Sequence, residues 1–282
     1  IENGDGASAN PEPDAQNSLG DPYYPLEGNG GYDAQHYTIE LTADTDAKTI
    51  AGATTVEALA TEDLTSFDLD FLGLEVSGVT VNGADAVFSR EGQELIVTPA
   101  TPLAAGATFT VSVAYSGAPQ PYAEPALALF GATTGWQEWS PGYFAAIGQP
   151  DGSMTWFPSN NHPSDKATYT FRITVDDPNV VAASGILQEV IPVDDNTRTY
   201  VWLFADPTTT EIAMVAVGEY ELVESETPNG VQIRNYFPKG YDQAIIDSFD
   251  VTGDMMVYLT DLLGDYPFDA YGVIVVPGFI DG

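Results

Sequence analysis

Histidine, acidic pairs, one serine and a group of tryptophans are the residues of this chain whose types could support chemistry. The only two histidines are His36 and His162, far apart in sequence. A zinc enzyme needs about three protein ligands plus an open position for water, and neither histidine stands four residues from another with a glutamate between. His162, in Asn160-Asn-His-Pro163, reads as a turn-stabilising residue, and His36 as a hydrogen-bonded residue at a strand edge. Asp44/Asp46, Asp176/Asp177, Asp194/Asp195 and Asp247/Asp250 offer hard oxygens suited to calcium. They lack the twelve-residue calcium-loop spacing and read as solvated surface charge. Ser184, in Ala-Ser-Gly, lacks the preceding glycine of a nucleophile elbow. Trp136, Trp139, Tyr143, Phe144 and Trp156 could stack on a ligand, but their spacing inside a Gly/Pro-bounded stretch predicts a loop packed onto a sheet. No residue is assigned a catalytic or metal-ligating role.

The elements that must position these residues change character along the chain. Residues 1–31 are rich in Gly, Asn, Asp and Pro and read as a flexible leader. From Tyr32, period-two segments follow one another: Tyr37–Leu41, Thr54–Leu59, Ser66–Phe71, Glu94–Val97 and Thr108–Tyr115. They are punctuated at Asn82-Gly83, Glu91-Gly92 and Ala105-Gly106. Such alternation predicts half-buried antiparallel strands. The pattern returns in Ala167–Val175, Val180–Gly185, Thr199–Phe204 and Ile212–Tyr220, with Asp194-Asp-Asn196 as a hairpin turn. One β domain over residues 32–226 is expected. After Tyr241 apolar residues recur at helical spacing, with Thr252 as the expected N-cap and Gly264 as the stop, so residues 227–282 are read as a linker and the start of a second domain.

Composition narrows the function classes. The chain has 282 residues, 44% of them hydrophobic, enough for a substantial core. Its 42 acidic and 7 basic residues give a net charge of -35, which repels phosphate backbones and anionic lipid surfaces, so nucleic acid is not an expected partner. No apolar run approaches the ~20 residues that span a bilayer. With no cysteine there are no disulfides or thiolate ligands. The first residue is Ile1 and lysine is scarce, which fits a processed, exported or cell-surface protein.

Several segments in order carry a resemblance: Trp156-Phe-Pro, Lys166-Ala-Thr-Tyr-Thr-Phe171, Ala183-Ser-Gly, Thr199-Tyr-Val-Trp202, Gly218-Glu-Tyr, Tyr236-Phe-Pro-Lys and Tyr266-Pro-Phe before a Val-rich strand. The set resembles the gluzincin zinc aminopeptidases of the aminopeptidase N and leukotriene hydrolase type. The resemblance implies a mainly β fold, a saddle-shaped antiparallel β-sandwich or sheet domain followed by the first helices and a strand of an incomplete thermolysin-like α/β domain. It implies that the complete protein removes amino-terminal residues from peptides with a zinc ion held by a His-Glu-x-x-His helix. That helix and the Gly-x-Met-Glu-Asn segment that grips the substrate amine are absent from this sequence, so zinc is expected only in the complete protein and no cofactor in this chain. It also places Gln149, eight residues before Phe157, at a pocket position that holds the substrate's amino end; an amide oxygen accepts from an ammonium without adding charge. The alternatives are a Gln capping its own turn and, for the whole chain, a non-catalytic surface module that self-assembles or attaches to a surface.

Overall fold

The computed structural model describes residues 19–124, 127 and 131–278. Its largest element is an eight-stranded sheet. Side by side run Ile186–Pro192, Thr197–Thr208, Ala167–Asp176, Tyr32–Asp44, Thr49–Ala60, Thr108–Gly117, Glu75–Val81 and Ala84–Asp85. Neighbours are antiparallel except Tyr32–Asp44 and Ala167–Asp176, which pair in parallel. The antiparallel pairing expected from the sequence holds for the other neighbours of this sheet and is corrected at this one pair. A parallel pair needs a long crossover, and residues 45–166 form it.

Alternation alone does not account for the first strand. Tyr32 and Ala34 are buried at even positions, then Tyr37, Ile39, Leu41 and Ala43 at odd ones. The pairing with Thr49–Ala60 skips Gln35, which is exposed and bulges out. One extra residue reverses which face the following side chains take, so the bulge keeps both apolar sets on the same side. Opposite Leu41, Gly52 is required by close approach, since a Cβ there would lie 2.0 Å from the Glu40 carbonyl oxygen.

A four-stranded sheet, Val180–Ala183, Val215–Gly218, Tyr143–Ile147 and Gly135–Ser140, is joined to the large sheet by an aromatic core. Trp156 and Phe157 are fully buried at its centre. Trp156 lies 5.7 Å from Trp136 and 6.4 Å from Phe171, and Phe157 lies 5.8 Å from Tyr37, which stacks on Tyr169 at 5.2 Å. The Trp-Phe-Pro segment is thus a plug between the sheets. Trp136 and Trp139 sit on a strand of a hairpin that turns at Pro141-Gly142, not in the expected loop; cross-strand pairing with Tyr143–Ile147 overrides the Gly/Pro punctuation. Phe67–Asp70, Glu94–Thr98 and Val87–Glu91 make a smaller sheet.

The last sheet, Tyr220–Glu226, Gln232–Pro238 and Ala270–Tyr271, ties the end of the β region to the helical segment. Helix α1, Gln243–Asp247, starts where the Asp242 carboxylate accepts from the Ala244 amide at 2.9 Å. A 3-10 turn, Ser248–Val251, leads directly into helix α2, Thr252–Leu263. The expected N-cap at Thr252 is corrected: its φ/ψ of −57°/−42° are helical, the residue before α2 is Val251, which makes no side-chain cap, and the capping side chain is that of Asp242 at the start of α1. Gly264, at φ 99°, ends α2 as expected.

Candidate functional site

Gln149 sits on a turn between the strand Tyr143–Ile147 and the 3-10 turn Gly152–Thr155. The backbone beneath it is tightly held. The Gly152 amide donates to the Gly148 carbonyl at 2.6 Å, the Thr155 hydroxyl to the Gly152 carbonyl at 2.7 Å, and the Ser153 hydroxyl to the Thr210 carbonyl at 2.7 Å. Asn161 donates to the Asp151 carbonyl at 2.8 Å and accepts from the Thr210 hydroxyl at 2.7 Å. Gly148 is packed so closely that a Cβ would lie 2.4 Å from the Glu211 carbonyl oxygen. On this buried polar base the Gln149 side chain is exposed, and among the described residues no hydrogen bond engages its amide. Other groups close the turn, so Gln149 is not needed as its cap.

Beside this turn lies a buried carboxyl cluster for which the sequence carries no signal. Asp70 is fully buried and accepts from the amides of Gly28 at 3.2 Å and Asn161 at 2.8 Å, and from the side chains of Asn29 and Gln93 at 3.3 Å each. The same Asn29 nitrogen reaches Glu94 at 3.3 Å, and the same Gln93 nitrogen reaches Glu27 at 3.4 Å. Three carboxyls therefore surround two amide side chains. Burial first, then neighbouring acids, pushes Glu27 up to about 9. Burial likewise raises the Asp70–Glu94 pair, Asp151 to about 7 and Asp165 to about 7. The residues are distant in sequence and are assembled by the strands Phe67–Asp70 and Glu94–Thr98, the stretch from Asp151 to Asp165 and the segment before Tyr32. That segment was expected to be a leader as far as Gly31. Its first 18 residues lie outside the described ones, but Glu27 and Asn29 are 7% and 3% exposed and belong to the body.

The remaining sequence candidates settle into local roles. Both ring nitrogens of His36 face hydroxyls, Thr168 at 2.6 Å and Thr170 at 3.0 Å. His162 Nδ1 accepts from the Ser164 amide at 3.2 Å, which leaves the proton on Nε2, 3.4 Å from Asp21. The two rings are committed to different partners, and among the described residues no three His, Asp or Glu side chains form a metal-holding group. This donor set does not fit a catalytic zinc ion. Asp44 and Asp194 cap turns, and Asp177 pairs with Arg198 at 2.8 Å. Ser184 accepts from the Met214 amide and donates to the Ile212 carbonyl. Trp136 and Trp156 are core residues, unavailable for stacking on a ligand. A cavity of about 700 Å³, lined by Trp202, Phe204, Arg234, Tyr236 and Tyr271 among others, lies elsewhere, and Gln149 does not line it.

The described residues form a mainly β body that presents this polar-based turn and is followed by a short helical segment. The model of the Peptidase M1 N-terminal domain matches residues 33–210. The chain belongs to that family. Three solved structures are similar to it, each at 29% identity over 92% of this chain. One is an M1 zinc metallopeptidase mutant from Deinococcus radiodurans bound to a Tyr-Ser-Ala substrate, with a TM-score of 0.83. Another is a two-domain M1 zinc metallopeptidase mutant bound to L-tryptophan, at 0.84. The third is the M1 zinc metallopeptidase from Deinococcus radiodurans, at 0.82. The chain spans 60% of the length of each of these structures. No curated protein matches it.

Proposed function

We propose that this chain is the amino-terminal region of a secreted or cell-surface zinc aminopeptidase. In this reading it supplies the scaffold and one wall of the pocket in which the complete protein binds the free amino end of a peptide. Gln149 is the residue that meets the substrate ammonium. The observation that carries the reading is the exposed, unengaged amide of Gln149 on a turn whose own hydrogen bonds are already made. The M1 family match and the tripeptide held by a similar protein support it. Zinc and the general base come from residues outside this sequence, because its own histidines are committed elsewhere.

Two measurements test the reading. The codons after Gly282 in the gene are expected to encode Gly-x-Met-Glu-Asn and then His-Glu-x-x-His; a stop codon overturns the enzyme reading in favour of a binding module. In the complete protein, Gln149→Ala is expected to raise KM for aminoacyl anilides about tenfold or more, the value of a hydrogen bond to a charged group, with a smaller change in kcat. An unchanged KM removes Gln149 from the pocket.

A further inference from the structure

The segment Leu26–Asn29 is fastened to the body through the carboxyl cluster and through neutral amides, with Gln93 donating to the Leu26 carbonyl at 2.6 Å. Gly28 donates its amide to Asp70, Asn29 donates its side chain to Asp70 and Glu94, and Glu27 accepts from Gln93 and Asn161. Asn160 completes the strap by accepting from the Asn29 amide at 2.6 Å and donating to the Asn29 carbonyl at 3.0 Å. Because one amide nitrogen spans Glu27 and Asp70, and another spans Asp70 and Glu94, neighbouring carboxyls are no further apart than two hydrogen-bond lengths.

Among the described residues no lysine or arginine forms a salt bridge with them, and His162, which packs on Gly28, turns its Nε2 to Asp21 at 3.4 Å. Towards Glu27 face Asp151 and Glu124, with the phenols of Tyr24 and Tyr122. Towards Asp70 and Glu94 face Asp68 and Asp165, with the phenols of Tyr32 and Tyr37. Arg90, on the adjacent strand, gives its guanidinium to the carbonyls of Phe71 and Leu74. Asp151 adds an independent sign of an unfilled acceptor: it is 3% exposed, and its Oδ1 has no hydrogen-bond partner among the described residues. Two buried charges, on Glu27 and Asp70, with half-buried Glu94 beside them, cannot all coexist unneutralised, because a carboxylate taken from water costs several kcal/mol unless paired. Asp70, with four N–H donors, is the member suited to remain an anion. Glu27 and Glu94, with fewer donors, are suited to hold protons.

We propose that the Leu26–Asn29 strap is a proton-operated latch, seated on Asp70 while Glu27 and Glu94 are protonated and released when they ionise. The direction is set by linkage. A carboxyl held above its unfolded value favours the closed form at low pH, and that contribution is lost as pH rises through the folded value, about 9 for Glu27. The latch shares Asn161 with the turn below Gln149.

Hydrogen exchange on this chain with a chelator present tests it. Between about pH 6 and about pH 9.5, after correction for intrinsic exchange, protection of the Gly28 and Asn29 amides is expected to fall about tenfold or more, while amides of the Thr38–Leu41 strand keep theirs. The Glu27→Gln/Glu94→Gln variant, which carries no charge at either position, is expected to keep the strap protected at the higher pH. The sheet amides report in the same experiment whether the variant folds; if it does not, the single Glu94→Gln variant carries the test. Protection that is flat with pH, equal loss in wild type and variant, or closure at pH 6 that requires added calcium overturns the proton latch.

Discussion

The β body and the helical segment after Tyr241 place similar apolar residues in opposite circumstances. In the body, Trp156, Phe157, Tyr37 and Phe171 are at most 1% exposed. In α2, Met255, Tyr258, Leu259, Leu262 and Leu263 are 47–82% exposed, and only Met256 is buried. The difference is one of partners rather than composition. A strand with one apolar face finds a second sheet within the chain. Helix α2 has an apolar face of which Met256 is the one buried residue among those described, and a groove of about 680 Å³ runs along it. Stability should therefore be concentrated in the body, with α2 a separate, weaker unit.

The largest expected effect lies at the centre of the body. Trp156→Ala should cost about 3–5 kcal/mol in urea denaturation, as large-to-small changes of buried aromatics do. Trp156→Phe should cost less, because the indole Nε1 has no partner to lose. Leu262→Ala should fall within about 0.5 kcal/mol of wild type, as exposed substitutions do. Similar costs at Trp156 and Leu262 would break the contrast between the two regions.

A smaller effect separates packing from charge. Four of the seven basic side chains pair with acids, Lys48 with Glu138, Arg172 with Glu40, Arg198 with Asp177 and Lys239 with Glu219. Most carboxylates are left to repel one another through solvent. Screening shortens that repulsion, so the melting temperature should rise by about 5 °C or more between low salt and ~1 M sodium chloride. The loss caused by Trp156→Ala should be the same at both salt concentrations, since a cavity does not respond to screening. A salt-independent melting temperature would mean that the charges are already compensated.

The sequence made the body legible because strands with one wet face alternate, and a local rule reads them. The Asp194–Asn196 hairpin and the Gly264 stop were visible for the same reason. What escaped was set by pairing over long distances. The bulge at Gln35 depends on a partner strand, and the strand carrying Trp136 is defined by Tyr143–Ile147 across a Pro-Gly turn. Glu27, Asp70 and Glu94 are isolated acids in sequence, and only the fold brings them to Asn29 and Gln93. Of the acidic pairs visible in the sequence, Asp44 and Asp194 cap turns and Asp177 forms an ion pair. Gln149 was located through a family resemblance, and the structure adds its exposure and the hydrogen-bonded base beneath it.

The smallest expected effect tests whether the helices are cooperative with the body at all. Asp242 accepts from the Ala244 amide at the start of α1, and removing such a cap costs about 1 kcal/mol of helix stability. If α1 and α2 open independently, Asp242→Ala should speed hydrogen exchange at Ile245 and Ile246, whose amides bond to the Asp242 carbonyl, by about fivefold, the equivalent of that energy. The urea midpoint of the body should stay within error, because the cap would stabilise a unit that has already opened before the body unfolds. Phe237 argues for some coupling, since it is 1% exposed and packs on Phe249 at 5.3 Å. One aromatic contact is worth about 0.5–1.5 kcal/mol, too little to bind two units into one transition when most of α2 touches water. A shift of the global midpoint by the full cost of the cap would show that the helices unfold with the sheets, and the two regions would then be one.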